Sequence, residues 1–193
     1  MNMNMKKLGV MIVSMIMLVG CLQLAAQEIG GTASVILNHY STRNFLTGAI
    51  PAADLNAIIQ AGVRAPSAAN QQPWRFTVVR TLSLAQKIVP QAVEGNVLIV
   101  ISAAGDGKTN TREIIDCALA TESIYLAAQA LGYGSRIYTG PINALNSNLK
   151  GELGLPAGHS AVALVRVGKV QPGVDAVTAA SPRKKAEELV TYK

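Results

Sequence analysis

The stretch APSAANQQPWRF, from Ala65 to Phe76, places small polar residues, two prolines and the only tryptophan of the chain in twelve positions. Proline fixes the backbone, and serine, asparagine and glutamine offer donors and acceptors of hydrogen bonds. A β-branched run, RFTVVR, overlaps its end and predicts a strand. We therefore expect a rigid polar loop that leads into a sheet. The alternative interpretation is a plain connection in which Trp74 fills the core.

Helical and extended patterns alternate along the rest of the chain. The spacing of Leu55, Ile58 and Val63 predicts a helix over residues 51–64. Residues 96–104, NVLIVISAA, are continuously apolar, which predicts a strand covered on both faces. Two more strands are predicted over 135–140 and 160–170, with a weaker helix over 141–155. The segment 111–134 predicts a long, well-buried central helix whose apolar residues are Ile115, Leu119, Ile124, Leu126, Ala127, Ala130 and Leu131.

Composition limits the class of protein. The length of 193 residues favours one domain, and 50% hydrophobic against 15% charged residues excludes a disordered chain. Lys6 and Lys7 belong to a predicted leader. Without them the chain has 15 basic and 11 acidic residues, which gives a net charge of +4. This mild excess does not indicate a nucleic-acid partner.

Residues 1–27 read as an export leader that precedes a single domain over 28–193. Lys6 and Lys7 form a positive start, and the apolar run from Leu8 to Gly20 is too short to span a bilayer. The small residue before Cys21 favours lipidation of that cysteine, with cleavage after Ala26 as the alternative. Both routes predict an exported protein of the cell envelope or periplasm.

The search for protein-supplied catalysis is negative. The chain has no CxxC pair, no HExxH, no GxSxG and no glycine-rich phosphate loop, so no metal ligand or catalytic side chain is assigned. Cys117, in an apolar helical pattern, is interpreted as a buried small hydrophobe, and His39 and His159 as exposed or structurally bonded residues. A bound cofactor is therefore expected to carry any reaction.

Four segments, in one order, resemble the FMN-dependent nitroreductase family. PSAANQQPW is similar to its signature loop, HYSTRNF to its N-terminal RxSxRxF element, LAAQALGYGSRIYTGP to its central helix and flavin loop, and SPRKKAEELVTYK to its basic tail. The resemblance runs from about Leu37 to Lys193. It implies an α+β fold with a mostly antiparallel sheet flanked by helices, and an intertwined homodimer in which the loop and tail reach across the interface.

The resemblance also implies which residues bind FMN. Ser41, Arg43, Arg183 and Lys185 match the positions that hold the flavin phosphate, and cations with hydroxyl donors suit that group. His39 stands where the family commonly has its first arginine, which predicts a weaker phosphate contact. For the isoalloxazine ring, the implied residues are Pro66, Ser67, Asn70 and Gln72 of the loop, with the backbone of Thr139 and Gly140 against the reactive N5 edge.

The implied reaction transfers two electrons. A donor, either NAD(P)H or a component of the envelope, reduces FMN, and a small acceptor such as a nitroaromatic or a quinone then takes the electrons at the same place. Two alternatives stay open: a flavin dehydrogenase of the kind that oxidises azoline rings in peptides, and a flavin-binding envelope protein without turnover. Because few residues separate strand 96–104 from the central helix, we also expect an open or differently shaped pocket.

Overall fold

The computed structural model of the chain describes residues 31–172 and 182–193. The predicted leader, Cys21 and Ala26 lie outside these ranges. The described helices are α1 Gly31–Asn38, α2 Ala52–Val63, α3 Leu82–Ile88, α4 Thr111–Ala130, α5 Ile142–Asn148 and α6 Ala186–Leu189, with a 3-10 turn at Ala68–Asn70. The described strands are β1 Arg75–Val79, β2 Val97–Ala104, β3 Gly134–Tyr138 and β4 His159–Gly168.

The four strands form one sheet in the order β1-β2-β4-β3, and every neighbouring pair is antiparallel. The register between β2 and β4 shifts after Ile101, so that Ile101 faces Ala163 and Ser102 faces Ala161. Val162 is the extra residue of this bulge. The α+β class with a mostly antiparallel sheet is confirmed.

Both faces of the sheet are covered. Ile99 and Ile101 of β2 pack with residues of α2 and α4, whereas Leu98 and Val100 pack on the other face with residues of α3 and α5. Seven of the eight residues of β2 are buried, as the continuously apolar run predicted. The sheet is therefore the middle layer between two layers of helices.

Helix α4 is buried on one face only. Cys117, Ala120 and Ile124 are fully buried against α2 and the sheet, but Ile115 and Leu119 are 55% and 40% exposed. Leu131, after the helix, is also exposed. The prediction of a well-buried helix is wrong for these three residues, because within the described chain nothing covers the face that carries Ile115 and Leu119.

Two close contacts fix α2 against α4 and the turn that follows it. Gly62 lies so near Ile124 that a Cβ on Gly62 would fall 2.6 Å from the isoleucine Cγ1. At the other end of α2, the Tyr133 hydroxyl donates to Oδ2 of Asp54 at 2.5 Å. This bond raises the pKa of Tyr133 to about 12, because the phenolate would meet the Asp54 carboxylate, and burial adds to the effect.

Two elements end earlier in the structure than the sequence predicts. The helix predicted over 141–155 ends at Asn148, and β3 ends at Tyr138, so Thr139 and Gly140 belong to a loop. Helices α1 and α3 were not predicted from the sequence. None of the helices in 31–172 and 182–193 combines the length and apolar character needed to cross a bilayer.

Candidate functional site

The loop before β1 is held in one conformation by its own polar groups. Ser67 accepts twice: its carbonyl from the Asn70 N–H and its Oγ from the Gln72 N–H, both at 3.0 Å. The Gln72 amide nitrogen in turn donates to the Asn70 carbonyl and to Asn70 Oδ1, at 3.2 and 3.1 Å. The rigid polar loop predicted from the sequence therefore exists as a compact hydrogen-bonded turn. Trp74 next to it is 5% exposed and belongs to the core, so the loop also places a core residue.

Three residues of this loop that are not glycine have left-handed backbone angles. The φ values of Ala69, Asn70 and Gln72 are 50°, 54° and 48°. Each such residue costs on the order of 1–3 kcal/mol, and the conformation persists only where the surroundings determine it. The loop thus depends on contacts from outside its own sequence.

Asp116 of α4 supplies that outside contact. Its Oδ1 accepts the backbone N–H of Ala68 at 3.0 Å, and the residue is only 3% exposed. Its second oxygen, Oδ2, is buried without a hydrogen-bond partner. Sequence reasoning missed Asp116, although the signal was present as an acidic residue inside an apolar helical pattern.

A cavity of about 750 Å³ lies beside the loop. The loop, the turn after β2 and the first turns of α4 form its wall, which is mostly polar. Its lining includes Gln71, Gln72, Arg75, Asn110, Arg112, Glu113, Asp116 and His159. Residues 105–110 alone connect β2 to α4. This short connection contains no helix that would cover that side of the cavity.

A second cluster surrounds Tyr125, which is 3% exposed. Burial raises the pKa of Tyr125, whereas hydrogen bonds with Gln129 and Ser41 and the charge of Arg183 act in the opposite direction. The ring of His39 meets the tyrosine ring edge-on, with 5.5 Å between centroids, and its Nδ1 lies 2.5 Å from the Ile36 carbonyl. Ser41 and Arg183, from the first and last described segments, therefore both act on Tyr125, and the ring of His39 contacts it directly.

The remaining predicted residues lie at the surface. Arg43 follows Ser41 by two positions, and Lys185 follows Arg183 by two; both side chains are exposed. The Lys185 N–H donates to the Glu188 carboxylate at 3.2 Å. Pro66, Asn70 and Gln72 are exposed, as are Thr139 and Gly140 after β3. The Thr139 carbonyl accepts the Ile142 N–H at 3.2 Å, which ties this loop to α5.

The loop and the Tyr125 cluster lie on opposite sides of α4. Tyr125 follows Asp116 by nine positions along α4, which corresponds to two and a half turns and about 13 Å along the axis. The body of the helix therefore stands between the Ala68 contact and the tyrosine. Within one chain, the two halves of the predicted site are not adjacent.

The other candidate groups are structural. Cys117 is fully buried, and burial raises the pKa of its thiol to about 12, with the Asp116 and Glu113 charges adding to the shift. It is the buried hydrophobe expected from the sequence. In the part of the chain that the structure describes, no three His, Cys, Asp or Glu residues are grouped so as to hold a metal ion.

Comparisons with known proteins agree with this geometry. The nitroreductase family model matches residues 36–97 and 91–169. A protein of Archaeoglobus fulgidus named "Putative NADH dehydrogenase/NAD(P)H nitroreductase" is 33% identical over 144 residues, which are 69% of this chain and 82% of that relative.

Solved structures are similar in fold over most of the chain. A nitroreductase with bound FMN from Desulfitobacterium hafniense has a TM-score of 0.69 and 25% identity, and the match covers 86% of this chain and 99% of that one. Nitroreductase A from Vibrio parahaemolyticus has a TM-score of 0.72 at 21% identity, with 85% of this chain and 75% of that one covered.

Proposed function

Because this chain belongs to the nitroreductase family, we propose that it is an FMN-dependent oxidoreductase that passes two electrons from a reduced donor to a small acceptor such as a nitroaromatic or a quinone. The solved relative from D. hafniense carries bound FMN. Bound FMN would supply the redox chemistry, which is the transfer of two electrons between a reduced donor and an oxidised acceptor. The polypeptide has to bind, orient and cover it.

One observation carries the proposal: Ser41 and Arg183, distant in sequence, both act on Tyr125, Ser41 through a hydrogen bond and Arg183 through its charge. A hydroxyl donor and a guanidinium are the groups that a phosphate requires. Arg43 and Lys185 are exposed two positions after Ser41 and Arg183, and we assign their cations to the same phosphate site. The donor set therefore fits the phosphate of FMN.

The loop fits the ring end of the same cofactor. Asn70 and Gln72 present amide groups on an exposed turn whose backbone is fixed by Ser67. Amides match the carbonyls and ring nitrogens of an isoalloxazine edge. These residues orient the ring, and no side-chain acid or base is needed. We assign the backbone of Thr139 and Gly140 to the N5 edge on the family resemblance.

We place the flavin at the interface of a homodimer. A single chain presents its loop and its Tyr125 cluster on opposite sides of α4, so one flavin contacts both sets only if a second copy supplies one of them. The uncovered apolar residues Ile115 and Leu119 give α4 a surface for that second copy. Flavin binding and assembly should then stabilise each other.

Substitution of Ile115 tests this assembly. Ile115→Lys places a charge in the proposed interface and should yield a monomer that has lost FMN, as measured by light scattering with absorbance detection. Asn148→Lys, at an exposed position at the end of α5, is the control and should stay dimeric. A flavin-loaded Ile115→Lys monomer would contradict the shared site.

The phosphate contacts are tested by Arg183→Ala, with Lys184→Ala as the control at the next cation. Loss of one charge-assisted contact should weaken FMN binding by about 1.5–3 kcal/mol, which is roughly 10- to 150-fold in Kd. Flavin fluorescence measures the affinity, and bleaching of bound flavin by NAD(P)H shows turnover competence. A wild-type protein that takes up no FMN refutes the function itself. Bound flavin that no donor reduces would favour the non-catalytic alternative.

We further propose that the chain is exported and held at the membrane by a lipid on Cys21. The basis is the leader pattern over residues 1–27, with cleavage after Ala26 as the other route. Because NAD(P)H is not expected to be plentiful outside the cytoplasm, the physiological donor in this proposal is a membrane quinol or a partner redox protein. Cell fractionation of the wild type and of Cys21→Ser tests it, and a cytoplasmic protein that retains Met1 would overturn it.

A further inference from the structure

A second cavity, of about 920 Å³, lies where β4 begins. It is bounded by the turn after β2, the end of α5 and the segment that leads into β4. It shares only His159 with the cavity beside the loop. Most of its side chains are polar, including Asp106, Lys108, Asn143, Ser147, Lys150 and His159.

The end of β3 creates this space. β3 stops at Tyr138, which pairs with Leu164, so the first residues of β4 have no strand on that side. The side chain of Asn146 takes the place of a strand at Ala161: its Oδ1 accepts the Ala161 N–H at 2.8 Å and its amide donates to the Ala161 carbonyl at 2.9 Å. Beyond that point the edge of β4 opens into the cavity.

Among the described residues, Lys150 has no carboxylate partner. Its ammonium donates to Ser160 Oγ at 2.8 Å, and Ser160 donates to the Gly105 carbonyl at 2.7 Å. The side-chain partner of Lys150 in this part of the chain is thus a neutral hydroxyl, although the residue is half-buried. The nearby Glu152 is paired with Lys87 at 2.5 Å, which removes that carboxylate as a partner.

The one acid that lines the cavity is turned toward its own loop. Asp106 Oδ1 accepts the N–H groups of Lys108 and Thr109, at 2.8 and 2.9 Å, and both of its oxygens lie 3.0 Å from the Thr109 hydroxyl. These backbone hydrogen bonds lower the pKa of Asp106. Lys108 and Lys150 thus line the cavity together with one acidic residue, Asp106, so the wall carries a formal positive excess.

We propose that this cavity binds a small anionic molecule through a carboxylate or phosphate group. Lys150 and Lys108 pair with its charge, and Asn143 and Ser147, one helical turn apart on α5, offer further donors. Lys150 contributes most, because Ser160 holds its ammonium in place and less side-chain entropy is lost when the ligand binds. The site does not depend on the flavin proposal, since no residue assigned to FMN lines it.

Calorimetric titration of the protein as purified tests the site, with inorganic phosphate and succinate as separate probes at constant ionic strength. We expect at least one probe to bind, and the stronger one identifies phosphate or carboxylate as the recognised group. Lys150→Met should weaken binding at least tenfold and Lys108→Met less. Lys193→Met, at the exposed C-terminus, should bind like the wild type. If Lys150→Met does not fold, Lys150→Gln and Lys108→Met give the same comparison.

Three results overturn the proposal. The first is that neither probe binds, and the second is that both lysine variants bind as tightly as the wild type. The third is that the probe displaces flavin, which would mean that it occupies the FMN phosphate site. The visible spectrum, recorded in parallel, separates this proposal from the preceding one. A protein that takes up no added FMN but binds the anion through Lys150 refutes the flavin function and supports the cavity.

Discussion

Replacement of Asp116 by alanine separates the conformation of the signature loop from the stability of the fold. The carboxyl group joins α4 to the loop through the Ala68 N–H at 3.0 Å. Within the described residues, it is the one hydrogen bond that joins α4 to that loop. We expect Asp116→Ala to release the loop and weaken FMN binding while the protein stays folded.

The magnitudes follow from the two oxygens of this side chain. A hydrogen bond with a charged partner contributes about 1.5–3 kcal/mol, whereas a buried polar atom without a partner costs about 1–3 kcal/mol. Asp116 has one of each, so the two effects nearly offset in the free energy of unfolding. In the variant, the flavin has to order the loop and its left-handed residues. The loss of the Asp116 hydrogen bond therefore weakens FMN binding, with roughly a 10- to 150-fold rise in the Kd for FMN.

Flavin fluorescence gives the Kd, urea unfolding gives the stability, and amide hydrogen exchange reports on the Ala68 N–H directly. Asp116→Asn is the matched control, because its amide oxygen still accepts that N–H and should restore most of the affinity. If Asp116→Ala binds FMN like the wild type while Ala68 stays protected from exchange, the loop does not depend on this residue and the reasoning fails.

Three further predictions concern the core. Tyr133→Phe should lower the free energy of unfolding by about 1 kcal/mol at pH 8. Because the pKa of Tyr133 is raised to about 12 in the folded state, this contribution is present below pH 10 and is lost as the pH rises through 12. The free energies of unfolding of the two proteins, measured in urea, should therefore converge near pH 12. Gly62→Ala should cost about 1–3 kcal/mol, measured by thermal unfolding, because the added Cβ meets Ile124. Gly151→Ala, where a Cβ meets nothing within 4 Å, is its control and should cost far less. Cys117, fully buried and with a pKa of about 12, should react with a thiol reagent only when the protein unfolds, and equal rates in native and unfolded protein would contradict its burial.

The elements with strong patterns were predictable. The continuously apolar run of β2 predicts burial on both faces, and the structure confirms it. The short helix α3, LSLAQKI, has only seven residues and no capping side chain, so its sequence carries little helical signal. Helix α5 ends seven residues earlier than predicted, at Asn148, because an apolar spacing that resembles a helix continues through a series of turns.

The motifs supply candidate site residues, but their arrangement in space does not follow from the sequence. The motifs single out Ser41, Arg183 and the loop, whereas the burial of Tyr125 between the chain ends follows only from tertiary packing. The exposure of Ile115 and Leu119 was missed because helical spacing shows that a face is apolar but not what covers it. Asp116 was missed because its role depends on a backbone N–H, and backbone groups leave no trace in a sequence.

The exposed segment of residues 182–193 also separates cofactor binding from folding in the proposed function. Among the described residues, 182–193 are all exposed, and none beyond Val167 belongs to either core cluster. In the proposed function, removal of this segment would take away Arg183 and Lys185 without removing a core residue, so FMN affinity and the stability of the fold would be lost separately.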